Sequence, residues 1–190
     1  MKNGKSTKTR ISRAALALFV EKGVAGTTVR EIAAAAGVAE GTLYRHFIGK
    51  EELAWELYAT NFAAFADELD RRQREQGKVA SKLGVMVQHF CTFFDRDPVL
   101  FSYLLLAQHD FMKRVPPEMP NPVDLVHQVI RQAMAAGELL PGDAAAAAAM
   151  VLGIVLQSAV FKIYGRITAS LTSLSDNLTG ACLRVLKAEY

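Results

Sequence analysis

The residues best suited to contact another molecule lie in one short segment near the N-terminus. Carboxylate, hydroxyl, guanidinium and imidazole groups occur there at Glu40, Thr42, Tyr44, Arg45 and His46. Such groups form hydrogen bonds with base edges and phosphates. Leu43 and Phe47 are four positions apart, so both would face inward if the segment is helical. The spacing predicts a short helix with one apolar side and one side that can contact nucleic acid.

The segment before it carries the signals of another short helix, followed by a tight turn. Thr28 and Glu31 have capping-box spacing, in which each side chain accepts a hydrogen bond from the other residue's amide. The helix would end at Ala36, and Gly37 can adopt the positive φ that a turn residue needs. Two short helices joined across residues 37–39 are typical of a helix-turn-helix, whose second helix enters the major groove of double-stranded DNA.

This part of the chain resembles a known family. The sequence TTVREIAAAAGVAEGTLYRHF at residues 27–47, followed by KEEL at residues 50–53, resembles the DNA-binding signature of TetR-type repressors. The resemblance extends back through the preceding helix and covers residues 10–55. It implies a homodimer in which each subunit binds half of a near-palindromic operator.

The resemblance also assigns roles to individual residues. It implies that the residues at the DNA are Glu40, Gly41, Thr42, Tyr44 and His46. It implies phosphate contacts from Thr28, Arg30 and Lys50, and Arg45 on the same outward face completes the predicted DNA-binding set. Two residues depart from the family's pattern. Ala39 cannot cap the second helix as serine would, and Glu40 places near the phosphates a carboxylate that can accept a hydrogen bond from cytosine.

The remaining apolar spacing predicts a helical scaffold. Apolar side chains recur at helical spacing from Ile11 to Phe19, whereas residues 1–9 are polar and basic, which predicts a mobile arm. Further helices are predicted at 50–76, 79–95, 98–114, 122–136, 143–166 and 171–188, with breaks at proline, glycine and serine. The predicted fold class is therefore all-α. A three-helix helix-turn-helix domain would occupy residues 1–49, and a larger helical ligand-binding and dimerisation domain residues 50–190.

The charge is unevenly distributed along the 190 residues. Residues 1–50 contain nine Lys and Arg against three Asp and Glu, a net charge of +6, whereas the remaining residues contain thirteen against sixteen, a net charge of −3. A basic module on a mildly acidic body suits a polyanion bound at one end only. The basic residues of the first segment are either phosphate contacts or a solubilising tail. They are Lys2, Lys5, Lys8 and Arg10.

The larger domain is rich in aromatic residues, which predicts a core and a pocket for a small apolar effector. The predicted ligand-binding residues are Trp55, Phe62, Phe65, His89, Phe93, Tyr103 and His109. No cofactor or metal is predicted. The alternative is a soluble helical enzyme or metal-binding protein that uses His89, His109 and Asp110. The sequence lacks the HxxxH or HxxE spacing that would place such ligands on one helix face, and it has no nucleophile elbow, phosphate loop or HExxH motif.

Residues 143–188 are the predicted dimerisation surface. The small side chains of residues 144–149 and Gly153 would let helices approach closely, and two helices from each subunit would form a four-helix bundle. Residues 144–161 are also almost wholly apolar, near the lower length limit for a membrane span. The polar pair at residues 157–158 and the amphipathic character of the rest of the chain favour a protein interface, so no membrane is predicted.

These features together predict a cytoplasmic transcriptional regulator, a repressor, rather than an enzyme. Cys91 and Cys182 are far apart and form no CxxC motif, which fits a reducing cytoplasm. The basic domain would bind the operator. Binding of the effector would shift the helix that begins near Lys50 and so change the distance between the paired DNA-reading helices.

Overall fold

The structure is a computed structural model that describes the backbone of residues 2–187 and the side chains of residues 6–186. The described residues form nine α-helices and no strand, which confirms the all-α prediction. The helices are α1 (Lys2–Lys22), α2 (Val29–Ala36), α3 (Glu40–Tyr44), α4 (Lys50–Arg74), α5 (Val79–Arg96), α6 (Pro98–Phe111), α7 (Pro122–Ala135), α8 (Ala144–Ile163) and α9 (Leu171–Lys187). A short 3₁₀ helix, Met112–Arg114, follows α6.

The first helix is longer than the sequence predicts. The mobile arm predicted at residues 1–9 is wrong from the second residue onward, because α1 begins there. The Lys8 ammonium forms an ion pair with Glu56 and lies 5.1 Å from the centre of the Phe47 ring. Arg10 donates hydrogen bonds to two carbonyls at the end of α2. Both side chains therefore attach the start of α1 to neighbouring parts of the fold.

Two other helices are shorter than predicted. α3 ends at Tyr44, three residues early, and the amides of His46 and Phe47 both bond to the carbonyl of Leu43, at 2.9 and 3.0 Å. α8 ends at Ile163, because a glycine with positive φ follows its C-cap residue. The remaining predicted helices agree with the structure to within a few residues, apart from the separate 3₁₀ helix after α6.

One compact unit contains the described residues up to Asn61 together with Val99–Met119. Within it α1, α2 and α3 pack together around a small apolar core. Tyr103 of α6 is 2% exposed, lies 5.8 Å from the Phe19 ring of α1, and donates a hydrogen bond to the Ala54 carbonyl of α4 at 2.7 Å. α6 is thus part of the same packed unit as the helix-turn-helix. The fully buried side chains of this unit include Ile11, Ala15, Ile32, Leu43, Leu53 and Tyr58.

The second compact unit contains Phe62–Pro98 and the described residues from Pro120 onward. α5 packs against α9, and α8 packs against both α7 and α9. Carboxylates from distant segments bond to the first turns of α5 and α9: Glu138 accepts from the Val79 amide at 2.8 Å and Asp95 from the Leu171 amide at 3.1 Å. Such bonds satisfy amide groups that have no partner within their own helix. They fix how α5 and α9 begin within this unit.

α4 contributes to both units, since the division falls between Asn61 and Phe62. This division separates units that pack together, whereas the predicted boundary between residues 49 and 50 separates domains by function. The two predicted domains, residues 1–49 and 50–190, stay a prediction. The two cysteines of the second unit, Cys91 and Cys182, are free thiols, and burial raises the pKa of each to about 11.

Candidate DNA interface and effector site

The start of α2 is held by the predicted capping box. The Glu31 amide donates to the Thr28 hydroxyl at 3.2 Å, and the Thr28 amide donates to the Glu31 carboxylate at 2.8 Å. The Lys22 ammonium adds a third contact, 2.7 Å from the same carboxylate. The bonds from Lys22 and Thr28 lower the pKa of Glu31 to about 2, so the carboxylate stays charged at neutral pH. The backbone at the entrance to the helix-turn-helix is therefore well defined.

The turn between α2 and α3 follows the sequence prediction. Gly37 has a φ of 63°, the left-handed conformation that glycine adopts without strain. The amide of Val38 donates to the Ala33 carbonyl at 2.9 Å, which closes the last turn of α2. Ala39 makes no side-chain cap for α3, as its methyl group predicts. The start of α3 is instead held by backbone bonds such as that from Thr42 to the Ala39 carbonyl, at 2.8 Å.

α3 and the residues after it present one polar face and one buried face. Leu43 and Phe47 are 0% and 4% exposed and belong to the core, as predicted. The predicted DNA-binding positions lie on the other side: Glu40, Gly41, Tyr44 and Arg45 are exposed, and Thr42 and His46 are half-buried. The Arg45 guanidinium donates to the Thr42 hydroxyl at 3.0 Å, so both side chains share one surface. Hydrogen-bonding groups of these types can contact base edges or phosphates.

Ile48 is an exposed apolar residue close to these positions in sequence, and the sequence reasoning missed it. Its side chain is 88% exposed, directly after the buried Phe47. A large apolar side chain in this position can contact a thymine methyl group. The sequence did contain a signal for its exposure: Ile48 does not share the i, i+4 spacing that places Leu43 and Phe47 in the core.

The cations predicted to contact phosphate have different surroundings. Arg30 is exposed on α2. The Lys50 ammonium, however, donates to the carbonyls of Ala25 and Thr27, at 3.1 and 2.7 Å, and the Lys50 side chain is only 20% exposed. Lys50 therefore fixes the loop before α2 to the first residue of α4. The side chains of Lys2 and Lys5 lie outside the described residues.

Three of the predicted ligand-binding residues come together in the second unit. Phe65 of α4 stacks on His89 of α5 with 5.1 Å between ring centres, and the centre of the Phe93 ring lies 5.0 Å from that of Phe65. Phe65 and His89 are only half-buried. Burial, together with the nearby charge of Arg72, lowers the pKa of His89 to about 4, so its imidazole is neutral at physiological pH. Phe62 is also half-buried and precedes Phe65 on the same helix.

The other predicted ligand-binding residues lie in the first unit. Trp55 packs against Phe111, with 5.7 Å between ring centres, and the Arg114 guanidinium lies 4.6 Å from the centre of the Trp55 ring. Tyr103 is separate from that group, since its ring faces Phe19 and its hydroxyl bonds to a backbone carbonyl. His109 is exposed. In the part of the chain that the structure describes, no three His, Cys, Asp or Glu side chains are grouped so as to hold a metal ion.

α8 has an apolar face that the residues described by the structure leave exposed. Met150 and Phe161 are 48% and 46% exposed, and the small residues Ala149 and Gly153 on the same helix are also exposed. By length and composition alone Ala144–Ile163 could cross a membrane, and 28% of its most apolar stretch is buried. Length and composition do not separate a membrane span from a helix that packs against another protein.

Known transcriptional regulators resemble this chain in sequence. The sequence profile described as "Bacterial regulatory proteins, tetR family" matches residues 11–57, which contain the capping box, the turn and α3. The fatty acid metabolism regulator protein of Bacillus subtilis is 22% identical over 183 residues, 94% of each chain. The transcriptional repressor KstR2 of Rhodococcus jostii is 42% identical over 74 residues, 38% of this chain and 34% of the repressor. Residues 11–57 therefore match the N-terminal region of TetR-family transcriptional regulators.

The chain also shares its fold with a solved structure of a transcriptional regulator. The crystal structure of FadR from Bacillus subtilis, in complex with stearoyl-CoA, superposes with a TM-score of 0.74 and covers 96% of this chain and 99% of FadR, at 19% sequence identity. At that identity the superposition establishes the common fold. The similar proteins named here are transcriptional regulators and not enzymes.

Proposed function

We propose that the protein is a repressor that binds a near-palindromic DNA operator as a homodimer and is released by a small apolar effector. The observation that carries the proposal is the exposed polar face of α3, presented by a helix-turn-helix whose first helix, α2, has a capping box and whose turn contains a left-handed glycine. The proposed DNA contacts are Thr28, Arg30, Glu40, Gly41, Thr42, Tyr44, Arg45, His46 and Lys50. Lys50 would act while bonded to the loop before α2.

The homodimer would form through residues 143–188. The exposed apolar face of α8 supports this assignment, because a soluble regulator needs that face covered. α8 packs against α9 within one chain, so two subunits meeting here would bring four helices together. A two-fold axis through this contact would pair two α3 helices, as a near-palindromic operator requires.

The effector would act through α4. This helix begins next to the helix-turn-helix, at Lys50, and extends to Arg74 in the second unit, where Phe62 and Phe65 are located. A shift of α4 would change the distance between the paired α3 helices, which must be about 34–36 Å apart to bind successive turns of the duplex. A coupling free energy of about 1–3 kcal/mol would weaken operator binding roughly 5- to 150-fold.

The proposed effector is a molecule with a long hydrocarbon chain. The half-buried Phe65 and His89 rings and the buried Phe93 ring offer an apolar surface on which a neutral imidazole adds no charge. FadR of Bacillus subtilis, which has the same fold, binds stearoyl-CoA. The other residues in the proposed set are Trp55, Phe62, Tyr103 and His109.

The regulator would work in the cytoplasm, where it needs no catalytic group, cofactor or membrane anchor.

Selection from random duplex DNA tests operator binding. We expect the enriched sequences to contain two inverted half-sites whose centres are about 10–10.5 base pairs apart, or a multiple of that distance, because two α3 helices related by a two-fold axis must meet the same face of the duplex. Bound and unbound pools would be sequenced at moderate salt, where non-specific binding is weak. Enrichment of a motif without inverted symmetry, or no enrichment, would contradict the proposal.

Titration with stearoyl-CoA tests effector release. We expect saturating stearoyl-CoA to weaken operator binding roughly 5- to 150-fold. Replacement of Phe65 by leucine removes the ring stacking on His89, and the half-effective concentration should rise roughly 2- to 12-fold. Fluorescence anisotropy of labelled operator measures both effects. The matched control is Val123→Ala, an apolar truncation at an exposed position of α7, which should leave the half-effective concentration unchanged.

Coenzyme A alone and stearate alone separate the contributions of the head group and the hydrocarbon chain. If no acyl thioester in a series changes the operator affinity, the proposed class of effector is wrong. The proposal that the protein binds an operator would not be affected.

A further inference from the structure

The turn that connects α2 to α3 is held by a side chain from α1. The guanidinium of Arg10 donates from one nitrogen to the carbonyl of Ala36 and to that of Gly37, the latter at 2.9 Å. The last carbonyl groups of a helix accept no hydrogen bond from an amide of the same helix, so they need donors from elsewhere. Two of these carbonyls, at the point where the chain turns toward α3, therefore depend on a residue more than 25 positions earlier in the sequence.

The shape of the turn leaves room for this guanidinium. A Cβ atom built on Gly37 would lie 3.0 Å from the Nη2 atom of Arg10. Glycine at this position thus serves two purposes, the positive φ and the space for the arginine. The cation also lies at the C-terminal end of α2, where the helix dipole favours positive charge.

α3 is poorly stabilised by its own sequence. It has five residues, its N-cap residue Ala39 offers no side-chain acceptor, and a helix of this length is unstable in isolation. Its orientation therefore depends on its contacts with the rest of the fold. Leu43 and Phe47 anchor the inner face of the segment, and the turn fixed by Arg10 sets the direction in which the chain enters it.

We infer that Arg10 is a positioning residue for the DNA-reading helix and not a phosphate contact. It acts through the turn, by holding the Ala36 and Gly37 carbonyls, and so sets the angle at which α3 presents Tyr44 and His46. This inference rests on the proposed operator binding. It also reassigns one member of the basic segment for which the sequence left open a phosphate contact or a solubilising role.

Replacement of Arg10 by methionine separates these roles. A positioning residue affects only the affinity for the specific operator, because only in that complex must α3 be oriented against particular bases. We therefore expect specific operator affinity to fall roughly 10-fold or more, and affinity for scrambled duplex to stay the same. The slope of log affinity against log salt should also stay the same, since no phosphate contact is lost. Measurements well below the melting temperature keep the variant folded, and a purely structural role would then change neither affinity.

Arg30→Met is the matched control, because Arg30 is exposed on α2 and is proposed to contact phosphate. It should weaken binding to operator and scrambled duplex equally and reduce the salt slope by about 1. If Arg10→Met behaves in this second way, or changes nothing, the positioning role is wrong.

Hydrogen exchange of the DNA-free protein gives a second measurement that does not depend on the operator. The Thr42 and Leu43 amides bond to the Ala39 carbonyl at the start of α3. Arg10→Met should speed their exchange severalfold and leave that of α5 unchanged. If the wild type shows no preference for any operator, the proposed function fails, and this exchange experiment still tests the link from Arg10 to α3. Unchanged exchange at Thr42 and Leu43 would overturn that link.

Discussion

Replacing both Tyr44 and His46 with alanine will remove the preference for operator over scrambled duplex and leave the fold intact. Tyr44 is 56% exposed and His46 half-buried, both in the segment that follows the buried Leu43. Each good base contact contributes about 1–3 kcal/mol of discrimination, so the double variant should lose at least roughly 30-fold in specific affinity. Neither side chain belongs to the core, so the melting temperature should change little.

The measurement compares operator and scrambled duplex at the same moderate salt concentration. The matched control is the double variant Leu106→Ala, His127→Ala. Leu106 is 55% exposed, close to the value for Tyr44, and His127 is half-buried like His46, but neither lies in the helix-turn-helix. The control should bind as the wild type does. A Tyr44→Ala, His46→Ala protein that still discriminates between the two duplexes would show that α3 does not read the operator.

The parts of this site that were predictable from sequence are those set by local interactions. Thr28 and Glu31 are three residues apart, and the capping box that joins them needs no distant partner. Gly37 adopts positive φ because of the turn in which it lies. Leu43 and Phe47 face the core because helical spacing puts them on one side. Each of these features is decided within a few residues of the chain.

The destinations of the long basic side chains were not predictable in the same way. Lys50 bonds to carbonyls about 25 residues away and Arg10 to carbonyls 26 and 27 residues away. Lys8 was expected in a mobile arm, but it pairs with Glu56 on α4. A positive charge near the N-terminus is compatible with a phosphate contact or with an internal carbonyl, and only the folded arrangement of α1, α2 and α4 decides between them.

The aromatic residues show the same limit. His89 and Phe93 are four apart on α5, so a shared face was predictable, whereas the stacking of Phe65 on His89 depends on how α4 meets α5. Tyr103 was predicted to bind ligand because of its residue type. Its hydroxyl donates to the Ala54 carbonyl at 2.7 Å, a partner that no sequence pattern indicates, and its role in ligand binding stays a prediction. Composition therefore predicted which residues are apolar, and tertiary packing determined which of them share a surface.

The substitution Gly153→Arg will convert the proposed dimer to a folded monomer with weak operator binding. Gly153 is exposed on α8, and a Cβ added there would meet no atom within 4 Å in the single chain, so Gly153→Arg fits the monomer without strain. At a two-fold interface each subunit would bury one unpaired charge, and a single buried unpaired charge costs roughly 3–5 kcal/mol. Sedimentation should show monomer, and operator affinity should fall roughly 10²- to 10⁴-fold, because the second half-site is no longer bound at high effective concentration.

The matched control for this experiment is Ala135→Arg, which adds the same side chain at an exposed position near the end of α7, outside residues 143–188. It should remain a dimer and bind operator normally, since its charge stays in water. Circular dichroism of Gly153→Arg should show the helix content of the wild type, because an exposed arginine is a better helix former than glycine. A Gly153→Arg protein that remains dimeric would place the subunit contact away from this face of α8. Since only a dimer can hold two α3 helices at the spacing of successive duplex turns, the operator proposal would then need another surface to supply the two-fold axis.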